Sequence, residues 1–217
     1  MEEQKIIETE NLRKYIKKLE IDTYGIGDMH LLKEMETGLP TDLKKFLNMF
    51  PYAIVLGAQY GKLGKKASGD ESSLFLEEAA FSIMSYLENK GYRHLIIHTE
   101  DEFDPINRLG FISLKILAKT AGLGWQGRSL LTISPEYGPL HRLIAILTDM
   151  PLQINQVIKN ECGTCRKCIE ACPQNALTLV AFSDHPSCRE DVLDIKTCLG
   201  DNGCLVCILS CPWLKKS

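Results

Sequence analysis

Seven of the nine cysteines of this 217-residue chain fall into two spaced runs in its last quarter. Cys162, Cys165, Cys168 and Cys172-Pro173 read C-x2-C-x2-C-x3-C-P, and Cys204, Cys207 and Cys211-Pro212 read C-x2-C-x3-C-P. A run of the first kind gives three thiolates to one cubane iron-sulfur cluster and its fourth to the neighbouring cluster. Neither run is therefore complete without the other, and the chain must fold so that the two meet.

The spacing predicts a first cluster held by Cys162, Cys165, Cys168 and, from the far run, Cys211. The second takes Cys204, Cys207, Cys172 and one of Cys188 and Cys198. Cys198 is favoured, because it lies close enough to Cys204 for a compact ligand loop. Proline after Cys172 and Cys211, with fixed φ and no N–H to donate, suits a chain turning sharply away from a cluster. A disulfide framework fits poorly, since such frameworks belong mainly to short secreted chains and no apolar leader core follows Met1-Glu2-Glu3. Structural zinc, usually held by two separated C-x2-C pairs, leaves the triple run and both C-x3-C-P endings unexplained. Two 4Fe-4S clusters use eight of the nine cysteines and imply a reducing compartment.

The remaining length suits one ordinary domain, and 45% hydrophobic residues supply a real core. The expected division is 1–155 for an α/β cofactor-binding domain and 156–217 for a small bacterial-ferredoxin-like domain. The net charge of -3, with signs alternating along the chain, gives no nucleic-acid or membrane surface. No apolar run approaches the roughly 20 residues that span a bilayer. A cytoplasmic protein is expected.

Leu12, Tyr15, Ile16 and Leu19 recur at helical spacing in a helix over 9–20, and 22–28, with two glycines, reads as a loop. A short helix should start at the N-cap Thr41. Tyr52 to Ala58 is a continuous apolar run, predicting a strand buried on both faces. The glycine- and lysine-rich stretch from Gln59 to Asp70 lacks the P-loop spacing and reads as a surface loop. A long helix from Ser72 or Ser73, capped by Gly91, leads to a strand over 92–98, and this crossover favours parallel pairing of the two strands. A helix over 107–120 precedes a hairpin of 129–134 and 141–148, so a mixed sheet flanked by helices is expected.

Gly122, Gly124 and Gly127 match G-x-G-x-x-G, but they follow a helix and precede a strand, the reverse of the dinucleotide-binding context. They instead read as letting backbone approach something flat, with Trp125 as an apolar wall and Arg128 as an anion or carbonyl partner. The alternative is a tight turn with Trp125 in the core.

With AGLGWQGRSLLTISPEYGPLHRLIAILTDMPL at 121–152 followed by CGTCRKCIEACPQNAL, the chain resembles the epoxyqueuosine reductase family. More narrowly it is similar to that family's short iron-sulfur relatives, which share Phe50-Pro-Tyr-Ala-Ile54 and Lys90-Gly-Tyr92. Arg189-Glu-Asp-Val-Leu-Asp194-Ile-Lys-Thr-Cys198 matches a stretch of those relatives and supports Cys198 as the eighth ligand. The resemblance implies a corrinoid-binding α/β domain of the reductive dehalogenase type, with cobalamin near one of the two clusters. Gly122, Gly124, Trp125, Gly127, Arg128 and Tyr137 are its expected cofactor-binding residues. It implies an iron-sulfur oxidoreductase fed by an electron donor such as a ferredoxin or flavodoxin, acting on a small molecule or a corrinoid protein.

Counting back from Ala121 places Arg108 where the family has its catalytic aspartate. The given sequence also ends soon after Cys211-Pro-Trp213, where family members continue into segments that help engage tRNA. Reduction of a tRNA base, and any nucleic-acid partner, are not expected. Asp101, Glu102, Asp104, Tyr137, His98 and His141 are considered as proton donors, with solvated or structural roles preferred, and no catalytic residue is assigned. The competing reading is a non-catalytic electron carrier or a reductive activator of a partner corrinoid protein.

Overall fold

The computed structural model describes residues 2–35, 48–59, 69–99, 112–180, 186, 188–200 and 203–214, without the side chains of 33–35, 69, 70 and 141. Strand β1 is Thr23–Asp28, β2 Tyr52–Gln59, β3 His94–Ile97, β4 Trp125–Gln126, β5 Thr132–Ser134 and β6 Gly138–Thr148. The helices are α1 Glu2–Lys17, α2 Met29–Met35, α3 Gly69–Asn89, α4 Leu114–Thr120, and the single turns α5 Lys167–Glu170 and α6 Val206–Leu209.

The apolar run of β2 is a central strand, as its composition requires. Ala53 and Val55 face one apolar cluster, which gathers Met29 and Leu32 of α2 and Leu117 and Ala118 of α4. Ile54, Leu56 and Ala58 face the other, with Leu12 and Ile16 of α1 and Leu76, Ala80, Ile83 and Leu87 of α3. Strand β6 runs beside β2 from Tyr52↔Thr148 to Gln59↔Leu140 and is likewise buried on both sides.

The expected parallel pairing of the first and second long strands is not found. β2 and β3 do run in the same direction, but β6 lies between them, antiparallel to both. The order is β1-β2-β6-β5-β4, with β3 on β6 beyond β5, and every pairing among the described residues is antiparallel. The mixed sheet of the sequence reading is thus corrected. The helix α3 does cross over, but the gap it leaves is filled by the later, 11-residue β6, whose length offers one edge to β2 and the other to β3 and β5.

The second correction is β1, expected as a loop because of its glycines. Here glycine serves close approach: a Cβ on Gly25 would lie 2.0 Å from the Ala121 carbonyl oxygen, and one on Gly27 would lie 2.8 Å from Thr120 Oγ1. The end of α4 rests directly on the bare strand. α1 begins earlier than expected, at Glu2, and α3 three residues before Ser72. The turn ending α3 has Gly91 at φ +81°, as a left-handed cap should. Ser113 caps α4 by accepting from the Ile116 N–H. The predicted helix at Thr41, most of the 59–70 loop and the 107–111 part of the predicted 107–120 helix lie outside the described residues, and α4 itself starts at Leu114. No helix among the described residues is long and apolar enough to cross a membrane.

After β6 the chain carries no helix or strand over 149–160. It is nonetheless held to the sheet and to α1, since the Asn155 N–H donates to Ile26 O of β1 and the Gln153 N–H to Thr9 Oγ1 of α1. Beyond it, α5 and α6 pack against each other, and Leu177 and Leu193 form an isolated antiparallel bridge.

Gly25→Ala should lower stability by about 1–3 kcal/mol through overpacking against α4, read as a lower denaturant midpoint by circular dichroism. An unchanged midpoint would contradict the close contact of α4 with β1.

Candidate metal centre

Each one-turn helix starts one residue before the first cysteine of a C-x3-C interval and ends within it. The turns have almost the same entry geometry, with Arg166 at φ -127°, ψ 7° and Leu205 at φ -119°, ψ 12°. The Cys172 N–H donates to Ile169 O, and the Cys211 N–H to Ile208 O. The two runs therefore bend alike before each proline.

Cys162, Cys165, Cys168 and Cys211 line one cavity, together with Pro212, Trp213, Gly127, Arg128, Ser129 and Ile133. Three of these cysteines come from the first run and one from the second, as the spacing requires. Burial, followed by the neighbouring thiols of Cys162, Cys207, Cys165 and Cys211, pushes the Cys168 thiol up to about 11. Cys211 is raised first by burial, with Cys162 and Cys165 adding to it against backbone hydrogen bonds. Cys207 is pushed up to about 11 by burial, then by Cys198 and Cys204. Cys198, Cys204 and Cys207 thus form a second neighbourhood, which Cys168 also feels through Cys207. Cys172 lies half-buried.

Thiols that burial and mutual repulsion keep protonated need a strong local cation before they can be thiolates. All nine cysteines are free of disulfides. Among the described residues no three Cys, His, Asp or Glu side chains close on a single-ion site. The Nε of Arg128 is buried beside the cavity and meets no partner among the described residues. A sulfur-rich anionic group would give it one. The first site therefore fits a cubane cluster.

Cys188 behaves differently. It is exposed and its thiol donates to Glu190 Oε2 at 2.9 Å. Cys198 is positioned by Asp194, whose Oδ1 accepts from the Lys196 N–H at 2.9 Å and whose carbonyl oxygen accepts from the Cys198 N–H. The Lys196 N–H, followed by the Thr197 hydroxyl and N–H, holds the Asp194 carboxyl below its usual range. Lys115 of α4 lies on the same side. Desolvation lowers its pKa, Arg189 acts in the same sense, and the Cys198 and Cys207 thiols oppose both.

The loop from Gly122 to Arg128 is drawn into this centre. Trp125 is 1% exposed, donates its indole N–H to Cys162 Sγ at 3.4 Å and meets the Trp213 ring edge-on at 4.9 Å. Arg128 donates to Gly163 O at 2.6 Å and to Val180 O at 3.1 Å, so it is a carbonyl partner, within the cysteine loop itself. Gly127 lines the cavity, whereas Gly122 and Gly124 face backbone: added Cβ atoms would lie 2.4 Å from Gln156 O and 1.9 Å from Ile133 O. Tyr137 is set apart, partly buried against the α2–α4 cluster, with its carbonyl oxygen accepting from Gln59 Nε2. The six residues expected around one cofactor are thus divided. Trp125, Gly127 and Arg128 lie at the cysteine cavity, Gly122 and Gly124 lie against backbone, and Tyr137 lies against the α2–α4 cluster.

Sequence reasoning missed Asn160, whose Nδ2 donates to Gln126 O and whose Oδ1 accepts from the Cys162 N–H, at 2.8 and 2.9 Å. An amide two residues before the first cysteine was the available signal. It also missed Trp213, signalled by its place after Cys211-Pro212. His98 is an exposed partner of Glu77, at 2.9 Å. Asp101, Glu102, Asp104, Arg108 and the side chain of His141 lie outside the described residues.

No family model matches the chain. Among curated proteins, an epoxyqueuosine reductase of Leadbetterella byssophila is 32% identical over 161 residues, covering 64% of this chain and 53% of that protein. Matches to such reductases span 29% to 55% of their length, so the chain corresponds to about half of them or less. In structure, an epoxyqueuosine reductase with an epoxyqueuosine-modified tRNA-Tyr stem loop superposes with a TM-score of 0.67 at 19% identity, over 94% of this chain and 64% of that one. A reductive dehalogenase, described with a mechanism for B12-dependent dehalogenation, superposes with a TM-score of 0.63 at 20% identity, over 93% of this chain and 31% of that one. These likenesses establish the fold.

Arg128→Lys keeps the charge but not the fork that spans two carbonyls. Hydrogen bonds to charged groups contribute about 1.5–3 kcal/mol, so a chelator should strip iron from the variant about tenfold faster at its first, fast phase. Equal rates would contradict the tethering role.

Proposed function

We propose that this chain, similar to epoxyqueuosine reductases over about half their length, is an iron-sulfur oxidoreductase relaying low-potential electrons through two 4Fe-4S clusters to a cofactor in the α/β body. The observation that carries the proposal is the single cavity lined by cysteines of both runs and closed on one side by Gly127, Arg128 and Ser129 of that body. The first cluster would be held by Cys162, Cys165, Cys168 and Cys211, and the second by Cys172, Cys198, Cys204 and Cys207. The C-terminal segment would then be a ferredoxin-like unit, residues 156–217, serving a domain of residues 1–155.

Such clusters supply one-electron transfer at potentials set by charge, burial and hydrogen bonds to sulfur. The chain's own residues do the rest. Trp125 and Trp213 keep water from the first site, Arg128 holds its loop to the sheet, and Asp194 shapes the turn that presents Cys198. The influence of Cys207 on Cys168 supports two adjoining sites, the arrangement a relay needs.

The acceptor is proposed to be a corrinoid on the strength of the family relationship, and the substrate to be other than tRNA because Arg108 stands in place of the aspartate. That same replacement favours a second reading, in which the protein is an electron carrier or reductive activator for a separate corrinoid protein. A donor of the ferredoxin or flavodoxin type and a cytoplasmic location belong to either reading.

Hydroxocobalamin titrated anaerobically into the reconstituted protein separates the two. Stoichiometric binding with an altered cob(II)alamin spectrum is expected for the reductase; cluster absorbance alone would favour the carrier. For the ligands, Cys198→Ala should lose about half of roughly eight irons, the content of two such clusters, while Cys188→Ala should lose none. An equal loss from both would overturn the assignment of Cys198.

A further inference from the structure

The Trp125 indole meets the first cysteine site with its one polar atom, and both ends of that contact are fixed. At one end, β4 is paired with β5 through Trp125↔Ile133, Gly124 is pressed against Ile133 O, and the Trp213 edge packs on the ring. At the other, the Cys162 N–H is held by Asn160, whose amide is itself bound to Gln126 O, next to Trp125 in the chain. The N–H···S distance of 3.4 Å therefore follows from strand geometry rather than from a free rotor. Burial of the indole removes water as a competing acceptor, and a donor in such surroundings acts more strongly than one in solvent.

We infer that Trp125 is a potential-setting residue of the first cluster, its N–H stabilising the reduced state by donating to Cys162 Sγ. Reduction adds one electron from the external donor and no proton, so negative charge on iron and sulfur rises. A fixed N–H dipole aimed at a ligand sulfur favours the more negative state and raises the midpoint. The same bond links the sheet to the cluster, so a displacement of β4 would change the driving force for the electron. The inference rests on the two-cluster reading.

The test is a redox titration of the reconstituted holoprotein, followed by electron paramagnetic resonance, with Trp125→Phe compared to the unsubstituted chain. Phenylalanine keeps an aromatic ring and removes the donor. One midpoint should fall so that the reduced-to-oxidised ratio at fixed potential drops about three- to tenfold, tenfold being about 59 mV for one electron. The other midpoint and the iron content should stay unchanged. Full iron with both midpoints unmoved, or with both moved equally, would overturn the inference alone; iron far below two clusters would overturn the two-cluster reading as well. Should the variant not fold, indole-15N labelling of the unsubstituted protein decides. The chain has two tryptophans, and Trp213→Phe assigns them. Pulsed electron-nuclear spectroscopy should show a cluster-coupled, exchangeable proton on the Trp125 indole nitrogen, and its absence would refute the bond.

Discussion

Cysteines from two runs, the first ending at Cys172 and the second beginning at Cys204, share one cavity, and half-buried thiols repel each other as they ionise. Alone, such a set resists deprotonation. With iron bound as proposed, each sulfur would gain a cation and the two runs would be bridged, so that metal binding and folding of the C-terminal segment would become one process. The small size of α5 and α6, one turn each, fits a region whose order comes from ligation more than from an apolar core.

That region is not a separate bead on the chain. The α/β body presents β4 and the loop to Arg128 at the edge of its sheet, and this edge supplies the indole on Cys162, the guanidinium on Gly163 and the wall formed by Ile133. From the other direction, Gly138 at the start of β6 lies so close to Trp213 that a Cβ there would sit 2.3 Å from its carbonyl oxygen. Strand β6 continues from that contact through the centre of the sheet. A rigid path of backbone thus joins the first cysteine site to the strand that organises the core.

The placement of Cys211 beside Cys162, Cys165 and Cys168 was legible in the sequence, because the spacing of the two runs requires them to meet. The burial of β2 on both faces was legible for a similar reason, as an unbroken apolar run admits few other uses. Strand order was not, because the strand that separates β2 from β3 is β6, which starts only at Gly138, well after β3 ends at Ile97, and no local pattern announces that insertion. β1 was misread since glycine marks a turn and a close approach equally well, and only the position of α4 distinguishes them. The AGLGW stretch was read as a cofactor contact, and which partner each of its residues meets in the fold depends on where the cysteine loop docks.

The central claim is that one cluster is shared between the two runs. Iron analysis of Cys162→Ala, Cys211→Ala and the double variant, each reconstituted anaerobically, tests it most directly. Each single variant should lose about half the iron, and the double variant should lose no more than either, because both changes strike the same cluster. If the double variant instead lost nearly all its iron, each run would be holding its own cluster, and the interleaved arrangement would be wrong.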